Sequence, residues 1–277
     1  MKTALLSALA MFAFAANSVF CRLALLDGHT DAASYATVRV IAGATVLALI
    51  VLVQTRGQPS FDADWRSALA LYVYMVFFAF AYVTLATGTG ALILFGAVQL
   101  TMFTVALRSG ERFPPLAWFG LLLAIAGLLY LVSPGVTAPE PLGAVLMAIA
   151  GIAWGTYSLL GRKAADATRA TAWNFVLSVP LVLATSLVFL DSADVSATGI
   201  ALAILSGAIA SGLGYVVWYA ALKGLAASDA ATIQLSVPVI AAIGGVVLLA
   251  EPVTMRLLVA TIATLGGVAI VLRQRVA

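Results

Sequence analysis

The stretch LYVYMVFFAFAYVTLA begins at Leu71 and sets Tyr74, Phe78, Ala81 and Tyr82 at i, i+4, i+7 and i+8, one face of a helix. A second stretch, SGAIASGLGYVVWYAAL from Ser206, gives Ser211, Gly214, Tyr215, Trp218 and Tyr219 a comparable face. Trp154 and Tyr157 share one side of a third helix, and Phe14 and Asn17 stand at the matching positions of a fourth. Rings collected on one face suit stacking against an aromatic body. They equally suit contact with lipid or plain filling between helices. Asn17, Gln99 and Gln234 offer amides for the amino or carboxylate end of a small molecule. As interhelical bonds the same amides would contribute about 0.6–2 kcal/mol.

Arg39 is the only ionisable residue well inside an apolar stretch. It suits attraction of a carboxylate. The structural alternative, snorkelling or pairing with an outer acid such as Asp31, is the expected one. Pro238 removes a backbone donor from its helix and is expected to kink it, as a hinge or as a static bend. The small-residue spacings of Ser206, Gly207, Ala210, Ser211 and Gly214 suit close helix contact, as do Gly244 and Gly245. A lone histidine, His29, falls in a connecting segment and is read as solvated. One cysteine, Cys21, allows no internal disulfide, and Phe20 before it argues against a lipid anchor.

The elements that carry these residues follow from composition. Of 277 residues 64% are hydrophobic and 9% charged, with a mean hydropathy of +1.13. A soluble domain carries about 25% charged residues, so lipid must be the solvent here. Stretches such as LAWFGLLLAIAGLLYLV are apolar all round, whereas barrel strands alternate. The reading is an all-α integral membrane protein. Ten transmembrane helices are expected near 3–21, 32–54, 66–86, 89–108, 116–132, 141–160, 171–190, 199–221, 228–249 and 254–272. Trp65, Trp118 and Trp173 fall at helix ends, as an interfacial belt would have them.

Lys and Arg alternate between faces. Lys2, Arg56, Arg66, Arg108, Arg112, Arg162, Lys163, Arg169, Lys223, Arg273 and Arg275 fall on the side of the termini, against Arg22 and Arg256 on the other. This bias puts both termini in the cytoplasm of a bacterial-type inner membrane. Asp27, Asp31, Glu140, Asp191, Asp194 and Glu251 populate the far side. The net charge of +3 is read as a topology signal, with no nucleic-acid partner.

The chain repeats at an offset of 140 residues. Glu111 then overlies Glu251, Gly127 overlies Gly267, Ser18 overlies Ser158, and Arg22 overlies Arg162. The opening MKTALLSALAMFAFAANSVF looks like a secretory leader, with Lys2 before an apolar run. Its counterpart at 144–164 lies deep in the chain, so it is read as a retained first helix. Five helices is an odd number, so the second copy enters the membrane inverted. The expected units are 1–137 and 141–277. Inverted repeats of this kind typify secondary transporters, with the site between the halves.

Ten helices in two five-helix repeats, each closing on a pattern of Glu111, Gly120, Gly127 or Glu251, Gly266, Gly267, resemble the drug/metabolite transporter superfamily, EamA type. ASDAATIQLSVPVIAAIGGVVLLAEPVT, with Pro238, is similar to that family's penultimate helix. GTGALILFGAVQLTM and the aromatic third helix resemble the YddG-type exporters of aromatic amino acids. Val98–Gln99 depart from the repeat at the position of Pro238.

The resemblance implies a secondary transporter that exports small metabolites, aromatic amino acids first, by alternating access at a central cavity between helices 1, 3, 4, 6, 8 and 9. Helices 5 and 10 would be peripheral struts. A multidrug or quaternary ammonium exporter, a channel and an intramembrane enzyme are the alternatives. No GxxxxGK followed by Ser or Thr is present for ATP, and no HExxH or paired intramembrane acids for hydrolysis. No acid lies in mid-span to relay protons. A neutral or zwitterionic substrate, no cofactor, no metal and a monomer in the lipid bilayer are expected.

Overall fold

The computed structural model describes residues 2–26, 28–57, 64–161, 164–225 and 227–274. Asp27, Arg162, Lys163 and Arg275, used above for orientation or for the repeat, lie outside them. The described residues hold ten helices long and apolar enough to cross a membrane. They are α1 Lys2–Leu26, α2 Ala32–Gln54, α3 Trp65–Tyr82, α4 Thr87–Arg108, α5 Pro115–Val132, α6 Pro141–Gly161 and α7 Ala167–Val188, then α8 over Ala197–Leu222, α9 in two pieces, Ala227–Gln234 and Ser236–Leu249, and α10 Met255–Gln274. Among the described residues the only β-type pairing is a single bridge, Thr30 to Val195. The all-helical expectation holds.

Polar caps fix the ends. Asp31 accepts from the Ser34 amide at the start of α2, Asp64 from Arg66 and Ser67 at α3, Asp166 from Arg169 at α7, and Ser196 from Gly199 at α8. Each answers amides that a helix start leaves unbonded. Helix α1 runs to Leu26, about a turn further than the sequence suggested, so Arg22 sits on the helix rather than in a loop.

Advance each helix number by five and the principal packings return to themselves. α3 against α6 answers α8 against α1, α4 against α6 answers α9 against α1, and α2 against α8 answers α7 against α3. α5–α10, α2–α7 and α4–α9 map onto themselves. The α5–α10 crossing repeats this at atomic level. A side chain on Gly127 would strike Ala260 and Thr264, and one on Gly267 would strike Gly120 and Ala124, the same positions 140 residues earlier. Small residues let the two backbones approach closely, as membrane packing requires. The pair forms a peripheral strut with half of its large apolar side chains exposed.

The two halves differ in α8 and α9. Leu205–Leu213 of α8 is a π-helix, while α3 is α-helical throughout. Helix α9 breaks at Leu235, where α4 continues through Val98 and Gln99. Pro238 explains the break: it has no N–H for the Gln234 carbonyl, and its ring crowds that carbonyl.

Candidate functional site

The aromatic faces foreseen on four helices meet at the centre of the bundle. Trp154 of α6 stacks on Tyr215 of α8, with centroids 5.4 Å apart and planes 20° apart. It also stacks on Tyr157 at 5.5 Å and tilts against Tyr74 of α3 at 4.9 Å. Tyr74, Phe78 and Tyr82 continue edge to face along α3, at 5.5 and 4.8 Å. Phe14 of α1 meets Tyr215 and Trp218 at 5.7 and 6.0 Å. Phe14, Asn17, Tyr74, Phe78, Trp154 and Tyr215, with Ser18, Leu94 and Phe95, enclose a cavity of about 20 Å³. That is room for about one water.

A polar thread runs beside the rings. Asn17 Oδ1 accepts from Ser206 Oγ at 2.8 Å and from Ser211 Oγ at 3.2 Å. On an α-helix two residues five apart diverge by about 140°. The i→i+5 bonding of a π-helix brings them into line. The π segment is thus what lets both serines reach one amide oxygen. It also sits against α2: a side chain at Gly207 would strike the Arg39 carbonyl, and one at Gly43 would come within 3.1 Å of the Gly207 carbonyl.

Arg39 neither snorkels nor pairs with Asp31. Its side chain is wholly buried and turned to the interior, 3.1 Å from Tyr74 Oη and 3.3 Å from Ser211 Oγ, both reached from Nη2. The guanidinium lies over Phe78, 4.8 Å from the ring centroid. Asp31 is engaged elsewhere, on Ser34 and on the amide of Asp194. Eight residues of helix rise, about 12 Å, separate it from Arg39.

Other sequence candidates sit away from the cavity. Gln99 faces a small crevice with Leu121, Ala124 and Val268, between α4, α5 and α10. Gln234 is half-buried beside the α9 break. Tyr82 donates to the Thr87 carbonyl at 3.2 Å, tying α3 to α4. Tyr157 donates to Thr171, which also bonds Tyr219 at 2.8 Å, knitting α6, α7 and α8. Sequence reasoning missed Ser206, Phe175, Phe95 and Ser18. Ser206 and Ser211 read as lying on different faces unless the helix is π.

One face is latched: the one away from the chain ends. Glu251 follows Ala250, whose left-handed backbone (φ 53°) ends α9. Its carboxylate accepts from the Thr87 amide at 2.8 and 3.0 Å and from Thr87 Oγ1 at 3.2 Å. Ala86, the N-cap of α4, provides no side-chain cap, so Glu251 caps that helix from another part of the chain. Arg22 pairs with Glu251 at 3.5 Å and donates to the carbonyls of Tyr82 and Val83 at 2.9 Å. The loop after α1 is bonded to the loop after α7 through the Asp31 amide to the Asp194 carbonyl, 2.9 Å, and the Ser196 amide to the His29 carbonyl, 2.9 Å. His29 is half-buried in that junction rather than solvated.

The model of the EamA-like transporter family matches residues 141–273. An uncharacterized protein of Pseudomonas aeruginosa is 48% identical over 99% of this chain and 96% of its own length. An uncharacterized transporter of Archaeoglobus fulgidus is 28% identical over 87% of each chain. The uncharacterized transporter YoaV of Bacillus subtilis is 25% identical over 48% of this chain and 49% of its own. A protein of known crystal structure shares the fold at a TM-score of 0.67 and 20% identity, covering 95% of this chain and 98% of the other. The chain is thus a multi-pass membrane protein with ten candidate spans, and its second half, 141–273, matches the EamA-like transporter family.

Proposed function

We propose that this protein is a secondary carrier that exports small metabolites, aromatic amino acids first among them, across the cytoplasmic membrane. Two inverted units, 1–137 and 141–277, rock about the central cavity and open it to each side in turn. The packing that returns to itself when helix numbers advance by five supports that motion. The excess of Lys and Arg on the face of the chain ends supports a cytoplasmic assignment for both termini.

The observation that carries the reading is the ring cage of Phe14, Tyr74, Phe78, Trp154 and Tyr215 around one small void, built from four helices drawn from both halves. Widening that void would let a planar side chain enter between Trp154 and Tyr215. The break before Pro238 serves as the hinge of α9. The Arg22–Glu251–Thr87 cluster holds the far face shut in this state.

Counterflow in proteoliposomes tests the proposal. Vesicles loaded with tryptophan should take up labelled phenylalanine saturably, and threonine or homoserine should compete poorly. Movement of a quaternary ammonium drug with no movement of aromatic amino acids would overturn it. Conduction without saturation would indicate a channel.

A further inference from the structure

Arg39 is a full positive charge in the interior of a membrane protein, and no acid among the described residues pairs with it. Its side chain has no exposed area. Of its three nitrogens, Nη2 reaches the two neutral oxygens of Tyr74 and Ser211, while Nε and Nη1 have no hydrogen-bond partner. Nor does any span carry an Asp or Glu in its interior; Asp229 stands in the first turn of α9. Tyr35 and Cys21 lie beside it and bring no fixed negative charge. A buried charge is stable only when paired and hydrogen-bonded. The guanidinium meets the cavity through the residues that wall it, Tyr74 by a hydrogen bond and Phe78 by its ring face.

We infer that the carboxylate of the transported molecule is the missing partner, and that Arg39 makes this carboxylate obligatory for binding. The inference rests on the carrier reading above and names the charge its substrate must bear. Bonds from Nη2 to a phenol and to an alcohol are long and neutral. A carboxylate offers shorter, charge-assisted bonds, so it displaces the Tyr74 hydroxyl and engages the unused donors. Displacing that hydroxyl frees the Tyr74 ring from its register against Trp154. The cage thereby widens when, and only when, a carboxylate arrives.

The substrate's other end meets different chemistry. No fixed negative charge stands near the cavity to hold an ammonium group, and Asn17 Oδ1 already accepts from two serines. The ammonium of an amino acid is therefore dispensable where its carboxylate is not. This narrows the neutral or zwitterionic class that the sequence suggested to molecules that bear a carboxylate.

The test is isothermal titration of the purified full chain in detergent with four compounds of one shape: 3-phenylpropionate, 3-phenylpropionamide, phenethylamine and phenylalanine. Both carboxylates should bind, and the amide and the amine at least tenfold more weakly. Arg39→Gln should weaken 3-phenylpropionate at least tenfold and leave the amide unchanged, and Arg39→Lys should restore part of the loss. The comparison of acid with amide on the unaltered protein needs no variant to fold. Equal binding of acid and amide would overturn the inference, and is the result expected if a chloride ion neutralises Arg39. Absence of acid binding, or tightest binding by the amine, would overturn it too. The carrier reading fails separately, by absence of counterflow for every compound in the panel.

Discussion

Glu251 caps a helix to which it does not belong: its carboxylate takes the amide of Thr87, 164 residues away in sequence, where Ala86 leaves the start of α4 without a side-chain cap. An acid late in the second half therefore secures the first half, and Arg22 of α1 is drawn to the same carboxylate. This gives the glutamate of the repeat pattern a physical role, which its sequence position alone does not reveal.

Glu251→Gln should loosen the latched face. Loss of a helix cap costs about 0.5–2 kcal/mol, so the thermal midpoint in detergent should fall by several degrees. Ala86→Ser in the same background supplies a local cap, since Ala86 already has extended backbone (φ −66°, ψ 150°). Part of the loss should return. No fall in midpoint for Glu251→Gln would remove the capping role.

Neighbouring glycines of α10 should behave oppositely. A side chain on Gly266 meets nothing within 4 Å, whereas one on Gly267 runs into the backbone of α5 at Gly120 and Ala124. Gly267→Ala should destabilise by about 1–3 kcal/mol, the range for overpacking a tight contact, and Gly266→Ala should be near neutral. Monodispersity on heating reads the difference.

Removing Ile209 would take one residue from the π segment and return α8 to regular α-helix. Ile209 is half exposed (49%), so little packing is lost with its side chain. With it gone Ser206 and Ser211 stand four residues apart, about 40° apart on an α-helix, so both still face Asn17 and the rings beyond keep their side. Helix content by circular dichroism and counterflow should both hold. Loss of counterflow would show that the π geometry itself is required.

Two carboxylates outside the spans should shape the acid limb of stability. Glu140 is held below the usual carboxylate range by the amides of Gly143 and Leu142. At Asp64 a slight burial acts upward, but bonds from Ser67 and the Arg66 amide outweigh it and hold the group down. A depressed carboxylate stabilises the fold fully above its unfolded pKa, about 4, and this is lost as pH falls through the folded value. Melting midpoints should drop below about pH 4, and Asp64→Asn or Glu140→Gln should flatten the drop.

The spans were legible in the sequence because lipid demands long apolar helices whatever their packing. The ring faces of α3 and α8 were legible for a related reason: helical spacing places Tyr74, Phe78 and Tyr82 together before any neighbour is known. Gln99 misled because a polar group in a span must face protein, and the crevice between α5 and α10 meets that demand as well as the cavity does. Arg39 was read against its near neighbour in sequence, Asp31, while its partners Tyr74 and Ser211 come from α3 and α8. Ser206 was hidden by the assumption of 3.6 residues per turn. Tertiary partners and departures from regular pitch are what spacing alone does not carry.

The absence of acids from the interior of every span has an electrical consequence. In the cycle proposed here the vacant centre carries one elementary charge, which a carboxylate without an ammonium cancels and a zwitterionic amino acid leaves in place. A voltage of 100 mV does about 2.3 kcal/mol of work on each elementary charge moved fully across it. For a simple carboxylate the voltage therefore acts on the vacant carrier's return and leaves the loaded passage nearly untouched, whereas for an amino acid it acts on both, so the cell's polarisation separates the two kinds of cargo.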